Sequence, residues 1–140
     1  MNRAGVTLLE LSVVIVVLLS LAALLMVGAQ AWRRGSDRAA CVINIRNVQT
    51  SVRSYQNMYG YSPGTMPYAD NGTQSIATHL FQKGYITEQL NDALTGNRVC
   101  PGGGSYEMTQ EEVFPAVGKL YLSCSLETEQ KHGMPGSAQW

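Results

Sequence analysis

Charge is sparse in this chain and, over one stretch, missing altogether. Only 14% of the 140 residues are charged, and none lies between Glu10 and Arg33. Beyond Arg38 there are six basic and eight acidic residues, a balance of −2. That half therefore offers no basic footprint for nucleic acid. Cysteine is limited to Cys41, Cys100 and Cys124, and histidine to His79 and His132. No Cys-x-x-Cys occurs, so no standard zinc spacing is present. No Ser/His/Asp or Cys/His order has a supporting local signature. Gly102-Gly103-Gly104 is followed by no Lys-Ser/Thr and opens no helix, so it reads as a turn and not a phosphate loop. A calcium-loop pattern is missing as well. These absences point away from an enzyme, with no catalytic residue, no cofactor and no metal implied. Asn71-Gly72-Thr73 has the form of a glycosylation sequon but carries no further argument. There is no internal repeat.

The uncharged stretch itself is the strongest positive feature. Leu11–Ala31 is 21 residues of almost unbroken apolar sequence. At 1.5 Å per residue a helix of that length spans about 31 Å, the thickness of a bilayer core. No small-residue cleavage site in a polar stretch follows it, unlike a secretory signal. Trp32-Arg33-Arg34 marks a membrane–water interface. Hydropathy alone is satisfied by a simple signal anchor, but Glu10 is not. A carboxylate in hydrocarbon costs several kcal/mol unless paired, so its place at the head of the run points to a partner group on another chain. Arg33, Arg34 and Arg38 follow the run while only Arg3 precedes it. The positive-inside rule alone would thus put the C-terminal part in the cytoplasm.

Four segments are expected: a polar leader at 1–5, a membrane helix at 6–34, an amphipathic continuation at 35–59, and a small globular head at 60–140 with a flexible tail. Gly35-Ser36-Asp37 is a place where the helix could break or loosen. Beyond it, Cys41, Ile45, Val48, Val52, Tyr55 and Tyr59 fall four, three, four, three and four apart, one helical stripe. Asn44, Arg46, Asn47, Gln49, Ser51, Arg53 and Ser54 occupy the other face. Gly60-Tyr61-Ser62-Pro63-Gly64 stops the helix. Ser75–Lys83 reads as a short helix with Ile76, Leu80 and Phe81 inward and Gly84 as its cap. Glu88–Leu94 reads as another helical turn, and Ser105–Met108 and Lys119–Ser123 as two strands. After Glu127 the sequence is polar and is expected to be poorly ordered. In a small exported domain, Cys100 and Cys124 are the expected disulfide pair, with Cys41 left over as a small core residue. Free thiols, or a metal held by Cys100, Cys124 and His132, are the other states open to them. His79 is expected as a surface or satisfied core residue.

Gly5-Val6-Thr7-Leu8-Leu9-Glu10-Leu11 with the apolar run behind it resembles the N-terminal signature of type IV pilins and pseudopilins. The resemblance implies that a prepilin peptidase cleaves between Gly5 and Val6 and methylates the new amine of Val6. Glu10 then becomes the fifth residue of the mature chain, the family's assembly glutamate. Two departures stand out: Val6 occupies a position usually held by Phe, and Ala4 separates Arg3 from Gly5. No proline lies near Val27, where many major pilins have a kink. Two further segments are similar to short pseudopilin-like proteins of environmental bacteria: Ala40-Cys41-Val42-Ile43-Asn44-Ile45-Arg46-Asn47-Val48, and Cys100-Pro101-Gly102-Gly103-Gly104-Ser105-Tyr106 with the later Cys124.

The resemblance implies an α+β, pilin-like fold: a long N-terminal helix and a small head with short helices and a small antiparallel sheet. The implied work is structural. Copies of the chain and related pilins would polymerise through their N-terminal helices into a type IV pilus-like filament. Glu10 and Thr7 would serve assembly and register. The partners would be the membrane, the prepilin peptidase and an inner-membrane assembly platform. Location would be the bacterial inner membrane first, then the periplasm or a surface filament. One alternative is a pseudopilin of a type II secretion system, forming a short periplasmic filament. Another is a membrane-anchored binding module that does not polymerise.

Overall fold

A computed structural model describes residues 7–66, 75–96, 100–110 and 112–136. The chain divides into two compact units, Met1–Gly35 and Ser36–Trp140. One helix, α1 (Leu8–Tyr59), is 52 residues long and contributes to both. Thr7 starts it: its carbonyl accepts from Leu11 N at 3.1 Å and its Oγ1 from Glu10 N at 3.3 Å. With Glu10 at the third helical position, Thr7-Leu8-Leu9-Glu10 is a capping-box sequence. The helix runs without a break through Gly28 and through Gly35-Ser36-Asp37.

In the first unit every described side chain from Thr7 to Gly35 is exposed. The helix contains an 18-residue window of mean hydropathy 2.9, none of it buried, which is long and apolar enough to cross a membrane. Ser12 and Ser20 donate to the carbonyls of Leu9 and Val17, each at 2.8 Å. Their hydroxyls thus need no water, a condition for lying in hydrocarbon.

In the second unit the stripe Cys41, Ile45, Val48, Val52 and Tyr55 is fully buried, as its spacing predicts. Tyr59, expected to extend it, is exposed, because the helix ends there. Gly60 adopts φ 69° and Tyr61 N returns to the Gln56 carbonyl at 3.0 Å, a Schellman closure. The core is completed by α2 (Ile76–Gln82), α3 (Glu88–Leu94), Phe114, Tyr121 and a two-stranded sheet. In that sheet β1 (Tyr106–Met108) and β2 (Leu122–Cys124) are antiparallel, with Tyr106 opposite Cys124 and Met108 opposite Leu122. Long helix, short helices and small antiparallel sheet make an α+β layout.

Three local expectations need correction. On α2 it is His79, not Phe81, that joins Ile76 and Leu80 inside. Residues 76, 79 and 80 share one face at helical spacing, and Phe81 turns away from it. On α1, Gln49 belongs to the core and not to the solvated face. Its Nε2 donates to the Lys119 carbonyl at 3.2 Å, and its Oε1 accepts from Tyr121 N at 2.8 Å. Arg53 donates to the carbonyls of Pro115 (2.8 Å), Ala116 (2.6 Å) and Lys119 (3.1 Å). In the segment leading into β2 these polar side chains of α1 thus partner the backbone of Pro115, Ala116, Lys119 and Tyr121. Finally, the chain after Glu127 forms α4 (Glu127–Gln130) and then packs inward, burying His132 and Met134.

Candidate functional sites

Two places bear on function. The first is the start of α1. Gly5 and Val6, the expected cleavage and methylation positions, lie outside the described residues. Thr7 and Glu10 occupy the first turn, both exposed, joined by the cap hydrogen bond. A carboxylate there is also favoured by the helix dipole. Glu10 therefore serves its own helix whatever else it does.

The second lies in the head, where the three cysteines meet. Cys41 comes from α1, Cys100 from the loop after α3, Cys124 from the end of β2, and His132 from the segment after α4. The three Sγ atoms and one ring nitrogen of His132 all lie within 4.8 Å of one another, and all four residues are buried. Cys100 Sγ and His132 Nδ1 are 3.3 Å apart. The expected Cys100–Cys124 disulfide is not formed: all three cysteines are free thiols. The fold gathers them as one group with His132 and does not set Cys100 and Cys124 apart as a pair. Cys41, expected as a leftover, is a full member of the group.

Local geometry explains how each member arrives. Cys100 sits at the base of a closed turn, with Cys100 N to the Gly104 carbonyl and Gly103 N to the Cys100 carbonyl, both 2.7 Å. Gly103 takes φ 87°, which a side chain would resist. At Gly102 the reason for glycine is different: a Cβ there would run into Cε1 of His132. Lys131, with φ 57°, is the non-glycine residue in left-handed backbone among those described, and it turns the chain so that His132 points inward.

Burial pushes the Cys41 thiol well up from its ordinary value, and the two neighbouring sulfurs add to the shift. Cys124 is also raised by burial, opposed by the Leu126 backbone N–H, which hydrogen-bonds its sulfur. Tyr106 is pushed up by burial while its hydroxyl accepts from Asn44 Nδ2 at 3.0 Å, and that hydroxyl also contacts Cys41. Without a cation, burial disfavours the thiolates of Cys41 and Cys124. Three sulfurs and an imidazole nitrogen are also a soft, four-donor set.

His79, on α2, is a core residue paired with Tyr55 Oη at 2.7 Å. A cleft lined by Asn44, Asn47, Ser51, Tyr85 and Gln89 has a volume of about 420 Å³ and is open to solvent. It holds no convergent set of ionisable groups that would mark a catalytic centre.

No protein-family model, curated protein or solved structure matches this chain.

The sequence pointed to Cys100 and Cys124 as a disulfide pair, or with His132 as a metal set, but not to their meeting with Cys41. Intervals of 59, 24 and 8 residues carry no local pattern. The one usable signal was a glycine run beside a cysteine, which here shapes the turn that admits the imidazole.

Proposed function

We propose that this chain is a structural subunit that polymerises through the first half of α1 into a type IV pilus-like filament. The observation that carries the reading is a membrane-length helix that leaves its whole apolar surface exposed and begins with a carboxylate at Glu10. Such a surface must be covered by lipid, by copies of itself, or by each in turn. An anchor needs only the lipid, and for it an acid at the head is no more than a helix-start residue. A filament core gives the acid a task, because a neighbouring subunit's N-terminal amine can neutralise it and thereby fix the stagger.

On this reading the leader is cut after Gly5 in the cytoplasm and Val6 carries the methylated amine. The membrane then stores the subunit until an assembly platform extracts it. Exposed apolar surface on α1 becomes the filament core, and the cysteine-bearing unit stays outside. The subunit acts by packing and register, not by chemistry on a substrate.

The test is mass spectrometry of the chain recovered from its native host, together with electron microscopy of the cell surface and periplasmic fraction. The expected result is a mature N-terminus at Val6, fourteen mass units heavier than the free amine (one methyl group replacing hydrogen), in sheared or periplasmic filaments containing the chain. A chain that retains Met1–Gly5 and stays monomeric in the membrane would overturn the proposal.

A further inference from the structure

We infer that Cys41, Cys100, Cys124 and His132 form a structural metal site for a tetrahedral, borderline-soft dication, with Zn²⁺ the best match. The inference stands on the head alone and does not depend on polymerisation.

Donor type comes first. Three thiolates and one imidazole nitrogen are a standard closed zinc set, with no position left for water or substrate. Distance comes next. Bonds of about 2.3 Å to sulfur and about 2.0–2.1 Å to nitrogen place tetrahedral donors about 3.6–3.8 Å apart. Here all four donors lie within 4.8 Å of one another, and Cys100 Sγ is 3.3 Å from His132 Nδ1. Even at the upper bound, each donor closes on a central ion by about 0.6 Å.

A disulfide accounts for less of what is there. It would use two sulfurs and leave a buried thiol facing a buried imidazole. One ion uses all four groups. Nor would a disulfide explain why Gly102 keeps the space of the His132 ring clear, or why Lys131 accepts left-handed backbone next to it. Strained backbone persists where the surroundings over-determine it, and a bound imidazole is such a constraint.

The surroundings also match a metal-bound state. Binding replaces three S–H protons by one dication: three thiols and a neutral imidazole take Zn²⁺, release three protons to solvent, and leave a site of net charge −1. That charge needs donors around it. The Leu126 backbone N–H faces Cys124 Sγ, and the Tyr106 hydroxyl lies against Cys41 Sγ. Asn44 Nδ2 donates to the Tyr106 oxygen, which leaves the Tyr106 proton free to point at the sulfur. Outer groups of this kind orient ligands and are worth roughly 10–100-fold in affinity.

The experiment uses the full chain in detergent, purified under thiol-protecting conditions, with metal content measured by plasma mass spectrometry after exhaustive dialysis. One zinc per chain is expected, with all three cysteines shielded from alkylation until a chelator is added. Replacing zinc by Co²⁺ should give thiolate-to-cobalt charge transfer and the intense ligand-field bands of a tetrahedral centre. His132→Asn, which keeps a short planar side chain, should weaken Co²⁺ binding by at least about tenfold and change those bands. Cys124→Ser should abolish them, and if that variant does not fold, the His132→Asn titration decides. A chain without metal whose cysteines are freely alkylated would overturn the inference. So would a Cys–Cys disulfide beside one free thiol, zinc removed by dialysis, or an octahedral cobalt spectrum.

Discussion

Glu10 has two tasks that a single substitution can separate. At the third helical position, behind Thr7 whose Oγ1 accepts from Glu10 N, it stands where a carboxylate or its amide suits the start of α1. As the proposed assembly group it must be charged. Glu10→Gln keeps the first task, since Gln serves at that position equally well, and removes the second. The cap as a whole is worth about 0.5–2 kcal/mol, and in a 52-residue helix its loss frays only the first turn. The charge is worth more. Removing one partner of a buried pair leaves the other uncompensated at about 3–5 kcal/mol. At about 1.4 kcal/mol per tenfold, Glu10→Gln should raise the subunit concentration needed for assembly by roughly 10²–10³-fold. Thr7→Ala, which removes the cap and keeps the charge, should change it by less than about 30-fold. The assay is filament yield after shearing or osmotic release, normalised to the amount of subunit in the membrane fraction. Normal filaments from Glu10→Gln would refute the charge argument and leave Glu10 as a helix cap. Equal losses from both variants would also refute it, by showing that the helix start is what assembly needs.

The head makes three further predictions. Gln49→Leu removes two hydrogen bonds by which α1 holds Lys119 and Tyr121, and should cost about 2–3 kcal/mol at roughly 1–1.5 kcal/mol each. Near-UV circular dichroism during urea unfolding reads this out, and a loss below about 0.5 kcal/mol would show that Gln49 contributes nothing to holding the segment. Tyr55, packed against His79, Tyr61 and Phe114, is pushed up to about 12 chiefly by burial. Its folded value exceeds its unfolded value near 10, so this contribution is complete below pH 10 and is lost as pH rises from about 10 to 12; Tyr55→Phe should flatten that alkaline limb in a pH series of unfolding midpoints. Gly102→Ala puts a methyl group into the His132 ring and should destabilise the head by about 1–3 kcal/mol. Pairing it with His132→Ala should return part of the loss, and a double mutant no more stable than the sum of the two changes predicts would refute that contact.

Legibility followed the kind of signal available. The stripe from Cys41 to Tyr55, the stop at Gly60 and the cap at Gly84 were readable because each is local: a period of 3.6, or a backbone angle only glycine adopts easily. The capping box at Thr7 was equally local, but the apolar run drew attention to Glu10 as a buried charge instead. Gln49 and Arg53 could not be read, because a polar residue bound to a distant backbone looks the same in sequence as one bound to water. The cysteine–histidine group was hidden for a related reason. Its members come from four segments, and the last was expected to be a loose tail. That tail is polar in composition, yet His132 and Met134 are among its buried residues.

The same facts explain why a unit with so little regular structure can keep one arrangement. Among the described residues outside α1 it has two helices of seven residues, one of four, and two strands of three. None of these is long enough to be stable by itself. Order must come from tertiary ties to α1: its apolar stripe packs the core, Asn44 and Ser51 bind the Tyr106 hydroxyl and the Tyr85 carbonyl, and two further sets reach the less regular segments. Gln49 and Arg53 take the backbone from Pro115 to Tyr121 through directed hydrogen bonds. Cys41, about two to three turns earlier on the same helix, faces the sulfurs of Cys100 and Cys124 and the ring of His132. The first set holds the approach to β2. The second reaches the loop before β1, the end of β2 and the segment after α4. Hydrogen bonds of about 1 kcal/mol each can fix a loop, but those of Gln49 and Arg53 do not reach the C-terminal segment. That segment is held by the buried Met134, by His132 N donating to the Leu126 carbonyl at 3.3 Å, and by the cysteine–histidine group, where a single ion would take the place of three thiol protons and join all four pieces of chain at once.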